Sequence, residues 1–420
     1  MRTFEDLKAK TVQQILSAPN SEVALKAYGL VWSFIPEYKF VFGGTSGSMP
    51  GFAINQQLPG DAVVRSLFKE NYVFVLDPDS LKEMLTGKAK FRIDYSISLD
   101  TMAFSHLAKY ITTQGEIAPE GFVEVFEFLA RDDVKADGLP YILENFTGAD
   151  LQNEKRSKDV FETIKAFEVL RNINLDHLMK TGLVRSTLDD TSLMKRAQES
   201  VASLFFDPSR QKLINALNVR VNYWYTNLLK IALIQFERKG RSADDKVEEY
   251  LEFCHSSLAT MNGREMVLAR EFFERGTDFK FFGKVQVGRS KLLASLKNMA
   301  WDLVHVHQLE SGMSLRPDPT SRYFFPALLT YDKGLIEVMD LYALRAIAFT
   351  RDEKNLLPAY AGDYRKAFSS DGLRAESIEQ RFCSDGPAED RRRRRDGVLL
   401  TLPRLIRELE TALGAFIQRA

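Results

Sequence analysis

Cysteine is almost missing from this sequence: its 420 residues include two, Cys254 and Cys383. There is no CxxC pair and no Cys/His spacing of zinc-binding type. A disulfide framework and a zinc-finger reading are therefore both excluded, and the usage suits a reducing cytoplasm. Net charge is missing too, with Lys plus Arg and Asp plus Glu equal at 57 each. No chain-wide basic field draws nucleic acid, so any such contact needs a local patch. Long apolar runs are absent. The best, residues 228–236, is interrupted by Lys230 and falls far short of the ~20 residues of a membrane-spanning helix. The first residues, MRTFEDLKAK, carry mixed charge and no apolar core of a signal peptide. The expectation is a cytoplasmic protein with no membrane partner. No fixed-period internal repeat is evident.

What is present is ordinary in bulk: 45% hydrophobic and 27% charged residues, the composition of a globular protein. The length suggests two or three domains. Residues 1–34 read as two amphipathic helices, with Asn20 and Ser21 as a capping pair. Residues 38–60 are rich in Gly, Ser and Pro and lack the Gly-Lys-Ser/Thr ending of a P-loop, so they read as a loop. YVFVL at 72–76 is a strand, and Asp77-Pro78-Asp79-Ser80 turns it into a helix. Between 150 and about 276 the chain is nearly proline-free and helical in its periodicity. A polar stretch, 369–396, contains five consecutive arginines, Arg391 to Arg395, and reads either as a solvated loop or as a phosphate-binding patch; a last amphipathic helix, 402–418, follows.

The stretch that organises the rest is 328–349, LLTYDKGLIEVMDLYALRAIAF. It reads as a strand ending at Thr330, Tyr331 and Asp332, a helix over 333–341, and a second strand over 343–349. That is a miniature crossover with an acid at the rim where α/β sheets bind ligands. Two other segments show related features. YSISL at 95–99 ends in Asp100-Thr101 before a helix over 102–111. A helix over 292–309 carries Asp302 among Ala300, Trp301, Leu303 and Val304, where an acid has poor propensity and nothing to cap.

Strand-Asp100-Thr101, NMAWD with Asp302 and LLTYDKGL with Asp332 together resemble a PIN-type nuclease domain. The match covers roughly 91–145 and 291–349, and Met102 stands where that family carries a polar residue. The fold this implies is α/β: a PIN-like parallel sheet flanked by helices, with a large all-helical insertion and helical N- and C-terminal extensions. The boundaries expected are an N-terminal extension over 1–90, sheet halves over 91–150 and 291–349, the insertion over 151–290, and a tail over 350–420. In that family, scattered carboxylates at the carboxyl edge of the sheet bind metal. Glu144, on a helix after Asp100, stands at about the distance expected of the second acid.

The resemblance thus implies Asp100, Asp302 and Asp332 as ligands of Mg²⁺ or Mn²⁺, with Glu144 as a fourth catalytic acid. Hard cations take such oxygen donors, and a bound ion orients water and offsets phosphate charge. Glu265 and Glu271 compete with Glu144, and Thr330 stands ready to hydrogen-bond a ligand or water. Asp100 and Asp332 each have a plainer reading as helix caps. His305, three residues from Asp302 on the same face, is a structural histidine or a transition-metal ligand. The activity implied is metal-dependent hydrolysis of single-stranded nucleic acid, RNA before DNA. Aromatics and basics over 220–230 are candidates to stack bases, or else core. The large additions suit a toxin or antiviral effector held inactive, with a second copy or a regulatory protein as partner. The rival reading is a non-catalytic helical scaffold with a degenerate PIN-like core.

Overall fold

A computed structural model of the chain describes residues 4–45, 55–87, 93–147, 154–315, 317–352 and 355–418. The protein is mixed α/β and mostly helical, with sixteen α-helices and two sheets among the described residues. It divides into two compact units. The first comprises residues 1–211, 307–331 and 343–360 and holds every described strand. The second comprises 212–306, 332–342 and 361–420 and is helical. No described helix is long and apolar enough to cross a membrane.

The first unit opens with α1 (Phe4–Leu16) and α2 (Ser21–Val31). Asn20 caps α2 as expected, its side chain accepting from Val23 N at 2.9 Å. Then come β1 (Tyr38–Gly44), β2 (Gln56–Gln57), β3 (Val63–Ser66), β4 (Tyr72–Leu76) and α3 (Pro78–Leu85). The Gly-rich stretch is therefore not a loop throughout: its first residues, YKFVF, form a strand that ends in two glycines. Residues 46–54 of it lie outside the described residues. Next are β5 (Ile93–Leu99), α4 (Thr101–Thr112), α5 (Phe122–Leu129), β6 (Ala136–Asp137), α6 (Leu139–Thr147), α7 (Glu154–Arg171), α8 (Leu175–Thr181) and α9 (Asp190–Phe206). The chain returns to this unit with β7 (Tyr323–Thr330), β8 (Leu344–Thr350) and β9 (Leu356–Tyr360).

These strands form a five-stranded sheet, β2-β3-β7-β5-β6, and a four-stranded sheet, β4-β1-β8-β9. In the first, β6, β5 and β7 run parallel and β3 joins antiparallel; in the second all neighbours are antiparallel. Strand β7 is buried at all eight positions, as a central strand covered on both faces must be. It tolerates Pro326 because β3 pairs only with Ala327 to Thr330, leaving one hydrogen-bonded flank at the proline. The core of this sheet joins Ile97, Leu99 and Leu329 to Phe104, Phe126 and Phe167 of α4, α5 and α7. The other sheet packs Phe40, Phe42 and Ala346 against Val12, Ile15 and Tyr28 of α1 and α2.

Three expectations are corrected here. Residues 328–349 are not a crossover within one sheet, because β7 and β8 part into different sheets. Both runs are mostly apolar, Arg345 aside in β8, so alternation carries little sign of which neighbours each takes. The N-terminal 90 residues are not an appendage either, since β1 and β4 supply half of the four-stranded sheet. The helical region also divides differently from the expected insertion: α7, α8 and α9 belong with the strands, and the second unit begins at residue 212.

The second unit holds most of α10 (Pro208–Glu237), then α11 (Ala243–Ser256), α12 (Gly263–Arg275), the larger part of α13 (Leu292–Gly312), α14 (Lys333–Leu341), α15 (Gly372–Cys383) and α16 (Asp385–Ile417). The aromatic stretch of α10 is core, with Trp224, Tyr225, Leu228 and Leu229 buried, so it offers no platform for bases. The arginine run lies inside α16 and is not a loop. Arg391 is buried and donates to Phe382 O at 2.5 Å, while Arg394 donates to His255 O and Ser256 O at 2.8 Å each. Arginines that close the carbonyl end of α11 and hold α15 are structural. A polar composition hides this, because the same residues serve a solvated loop and a helix whose charges are paired.

Candidate active site

The parallel pairing of β5, β6 and β7 brings three chain segments to one edge of the five-stranded sheet. Leu99 pairs with Leu329 and Ser98 with Asp137. The residues that follow these positions therefore emerge together at the carboxyl edge, where α/β sheets bind ligands. Asp100 leaves β5 with extended backbone (φ −70°, ψ 170°), and its N–H donates to Leu329 O at 3.2 Å. Its Oδ1 accepts from Ala103 N at 2.6 Å, so this acid does cap α4. It is 7% exposed.

Glu144 comes to the same place from α6. Thr101, the residue after Asp100, donates its hydroxyl to Glu144 Oε2 at 2.5 Å. Thr330, at the end of β7, is fully buried. Tyr331 follows it, and its phenol is pushed up by burial and by the neighbouring charge of Asp100. The edge of that ring meets His106 of α4 with centroids 4.9 Å apart. Burial, aided by Lys109, lowers the His106 pKa and favours the neutral ring. The Tyr331 hydroxyl and His106 Nδ1 are buried atoms with no hydrogen-bond partner among the described residues.

The structure adds Asp137, which the sequence reading passed over. It ends β6, accepts from Leu139 N at 3.0 Å and lies 3.4 Å from the Ser98 hydroxyl. Burial raises its pKa, against the pull of the Leu139 N–H, the Ser98 hydroxyl and the more distant Arg210 and Arg171. Gly138, next to it, is required by close approach: a Cβ there would lie 2.6 Å from the Phe104 ring and 2.9 Å from Phe167. The signal was in the sequence, since Asp137-Gly138-Leu139-Pro140 is also an acid before a helix start. It was obscured because β6 has only two residues and shows no strand alternation.

The remaining predicted residues lie in the second unit. Asp332 caps α14, its Oδ1 accepting from Gly334 N at 2.7 Å and Leu335 N at 3.0 Å. Asp302 sits partly buried in α13 between buried Trp301 and Leu303. Glu265 is 5% exposed and accepts from Asn262 Nδ2 at 3.1 Å, and burial raises its pKa. It belongs to an internal polar network with Tyr223 and Thr260. Glu271 pairs with Arg275 at 3.2 Å on the same helix. His305 is buried with its ring 6.0 Å from that of Trp301; His307, which belongs to the first unit, has its Nε2 3.4 Å from the Ser311 hydroxyl.

Of the four predicted catalytic acids, Asp100 and Glu144 are thus brought together in the first unit, while Asp302 and Asp332 belong to the second. Among the described residues, no three or more of His, Cys, Asp and Glu are grouped as a cage for a metal ion. The Asp100–Glu144 pair has a different chemistry. Mg²⁺ keeps several waters and is held by one or two carboxylates with substrate phosphate rather than by an all-protein cage, and these residues fit that donor set. Compared with protein-family models, curated proteins and solved structures, the chain gives no significant match to any.

Proposed function

We propose that this protein is a Mg²⁺- or Mn²⁺-dependent nuclease of PIN type that hydrolyses single-stranded nucleic acid, RNA in preference to DNA. The observation that carries the reading is the parallel order β6-β5-β7, with Asp100 following β5, Asp137 ending β6 and Glu144 on the helix after β6. A bound divalent ion supplies charge neutralisation and an activated water. Asp100 and Glu144 are the residues to hold it, and the Thr101 hydroxyl fixes the Glu144 carboxylate in place. Asp137 keeps its proton to higher pH than an ordinary carboxyl, the property a general acid needs when a leaving oxygen departs. Tyr331 brings a buried O–H near Asp100, and His106, against the Tyr331 ring, a buried neutral ring nitrogen; both are suited to an ordered water.

A second reading, a non-catalytic interaction protein, is favoured by one specific observation. Asp100 and Asp332 are both accounted for as helix caps. One experiment separates the two: cleavage of a single-stranded RNA and its DNA counterpart with Mg²⁺, with Mn²⁺ and with chelator, by the parent and by Asp100→Asn. The nuclease reading expects metal-dependent cleavage that falls at least about 10²-fold in the variant. A parent that cleaves neither strand with either ion overturns the nuclease reading, and a variant as active as the parent removes Asp100 from the site.

A further inference from the structure

Residues 279–301 carry five bases, Lys280, Lys284, Arg289, Lys291 and Lys297, and no acid. They lie in the second unit. A short helical turn at 280–282 leads into a connector, and α13 starts at Leu292. The apolar members of the stretch turn inward: Phe281, Phe282, Val285, Leu292 and Leu296 are buried. The Phe282 ring stacks on that of Phe272 with centroids 4.0 Å apart. Gly288 makes the turn before α13 at φ 81°, a left-handed value that favours glycine. Its N–H donates to Phe416 O at 3.1 Å. The backbone is thus pinned, and Lys284, Arg289, Lys291 and Lys297 all stand exposed.

The charge here is one-sided. Lys280 is set aside, because its N–H donates to Glu337 Oε2 at 3.2 Å and that acid stands beside it. The other four have no side-chain hydrogen bond or ion pair among the described residues. The end of α16 that meets the turn, 411–418, carries no acid either. The arginine run of α16 differs, since Arg392 and Arg394 pair with Glu389 and Asp390 at 3.1 and 2.7 Å. Four like charges this close in the chain repel one another, and no carboxylate of the stretch offsets them. The side chains exposed between and beside them are Gln286, Val287, Ser290, Ala294 and Asn298. None is aromatic, and Val287 is only 38% exposed. That is too little apolar surface to enter a lipid layer or to form the centre of a protein interface. Gln, Ser and Asn, with Lys and Arg, are the types that contact phosphate and sugar.

We propose that Lys284, Arg289, Lys291 and Lys297 bind the sugar-phosphate backbone of a single-stranded RNA. The contact goes to phosphates and not to base edges, so it is blind to sequence. The choice of RNA over DNA rests on the nuclease reading of the first unit and on Gln286, Ser290 and Asn298, whose side chains are suited to a 2′-hydroxyl. Each phosphate neutralised on a single strand contributes about −0.7 to the slope of log K against log salt, so four give about −2.8.

The test is fluorescence anisotropy of the full chain with labelled oligouridine and oligoadenosine RNA, with chelator present so that no strand is cut. It is repeated with two double variants, Arg289→Gln with Lys291→Gln and Lys284→Gln with Lys297→Gln, and with Asp100→Asn. The four replaced cations are exposed, and circular dichroism checks that each variant is folded; either pair alone suffices. Raising salt from about 50 to about 200 mM is expected to weaken the parent's binding about 50-fold and that of a double variant only about 7-fold. Both RNAs bind alike, and Asp100→Asn matches the parent. The proposal is overturned by no binding at about 50 mM salt, or by folded double variants with the parent's salt dependence. It is also overturned by a DNA counterpart bound more tightly than RNA, or by polyglutamate or phosphatidylserine vesicles bound as tightly as RNA. Binding is read without metal and cleavage with it, so loss of the nuclease assignment and loss of this one remain distinguishable.

Discussion

Asp100 is asked to do two jobs, and two substitutions separate them. Its Oδ1 accepts the Ala103 N–H at 2.6 Å, and Ala103 is fully buried. Asp100→Ala removes the cap and strands that donor away from water, a loss of about 2 kcal/mol, within the range for an N-cap and for a buried unsatisfied N–H. In a unit of this size that is a fall of about 4–8 °C in Tm. Asn caps as well as Asp, so Asp100→Asn changes stability by less than about 0.5 kcal/mol. If the carboxylate also serves a metal, both variants lose cleavage alike, because the amide oxygen supplies no charge to the ion. Urea denaturation followed by circular dichroism, with the RNA cleavage assay on the same samples, measures both quantities. Equal destabilisation by Asn and Ala would refute the capping argument. An Asp100→Asn variant that cleaves like the parent would refute the catalytic one.

Other outcomes follow from neighbouring packing and charge. Gly138→Ala drives a methyl into the Phe104 and Phe167 rings and is expected to cost about 1–3 kcal/mol by overpacking, seen as a lower denaturation midpoint with the slope unchanged. The folded-state pKa of Asp137 is raised by burial, so the group binds its proton more tightly folded than unfolded. Its contribution is complete below the unfolded carboxylate pKa and is lost as pH rises through the raised value. Asp137→Asn is therefore expected to flatten Tm against pH in that window and to hold the neutral-pH Tm at or above that of the parent; a steeper profile would count against this assignment. In the helical unit, Arg394→Ala removes the two bonds to His255 O and Ser256 O and is expected to cost about 1 kcal/mol, read from urea denaturation. Arg393→Ala, at an exposed position on the same helix, is the control and should cost almost nothing.

Local elements were largely legible. The helix over 333–341 matches α14, and Asp77-Pro78 opens a helix through a capping box, because caps and prolines act on their own neighbours. The strand at 72–76 and the helix after Asp100 were equally plain. Less legible was anything that depends on a partner. Two-residue β6 has no pattern of its own and exists because β5 pairs with it. The arginines of α16 read as solvated, yet Arg391 finds a carbonyl of the preceding helix and Arg394 finds two at the end of α11.

The sequence by itself determined most of the longer strands and helices and where acids stand at strand ends. Those properties are written in periodicity and in residue chemistry over a few neighbours. Only the tertiary structure decided that the strands divide between two sheets and that Thr101 joins the Asp100 segment to Glu144. It also decided that Lys284, Arg289, Lys291 and Lys297 stand exposed with no ion pair among the described residues. Strand pairing is set by the burial of whole faces against one another, a choice among similar apolar runs that no single run encodes.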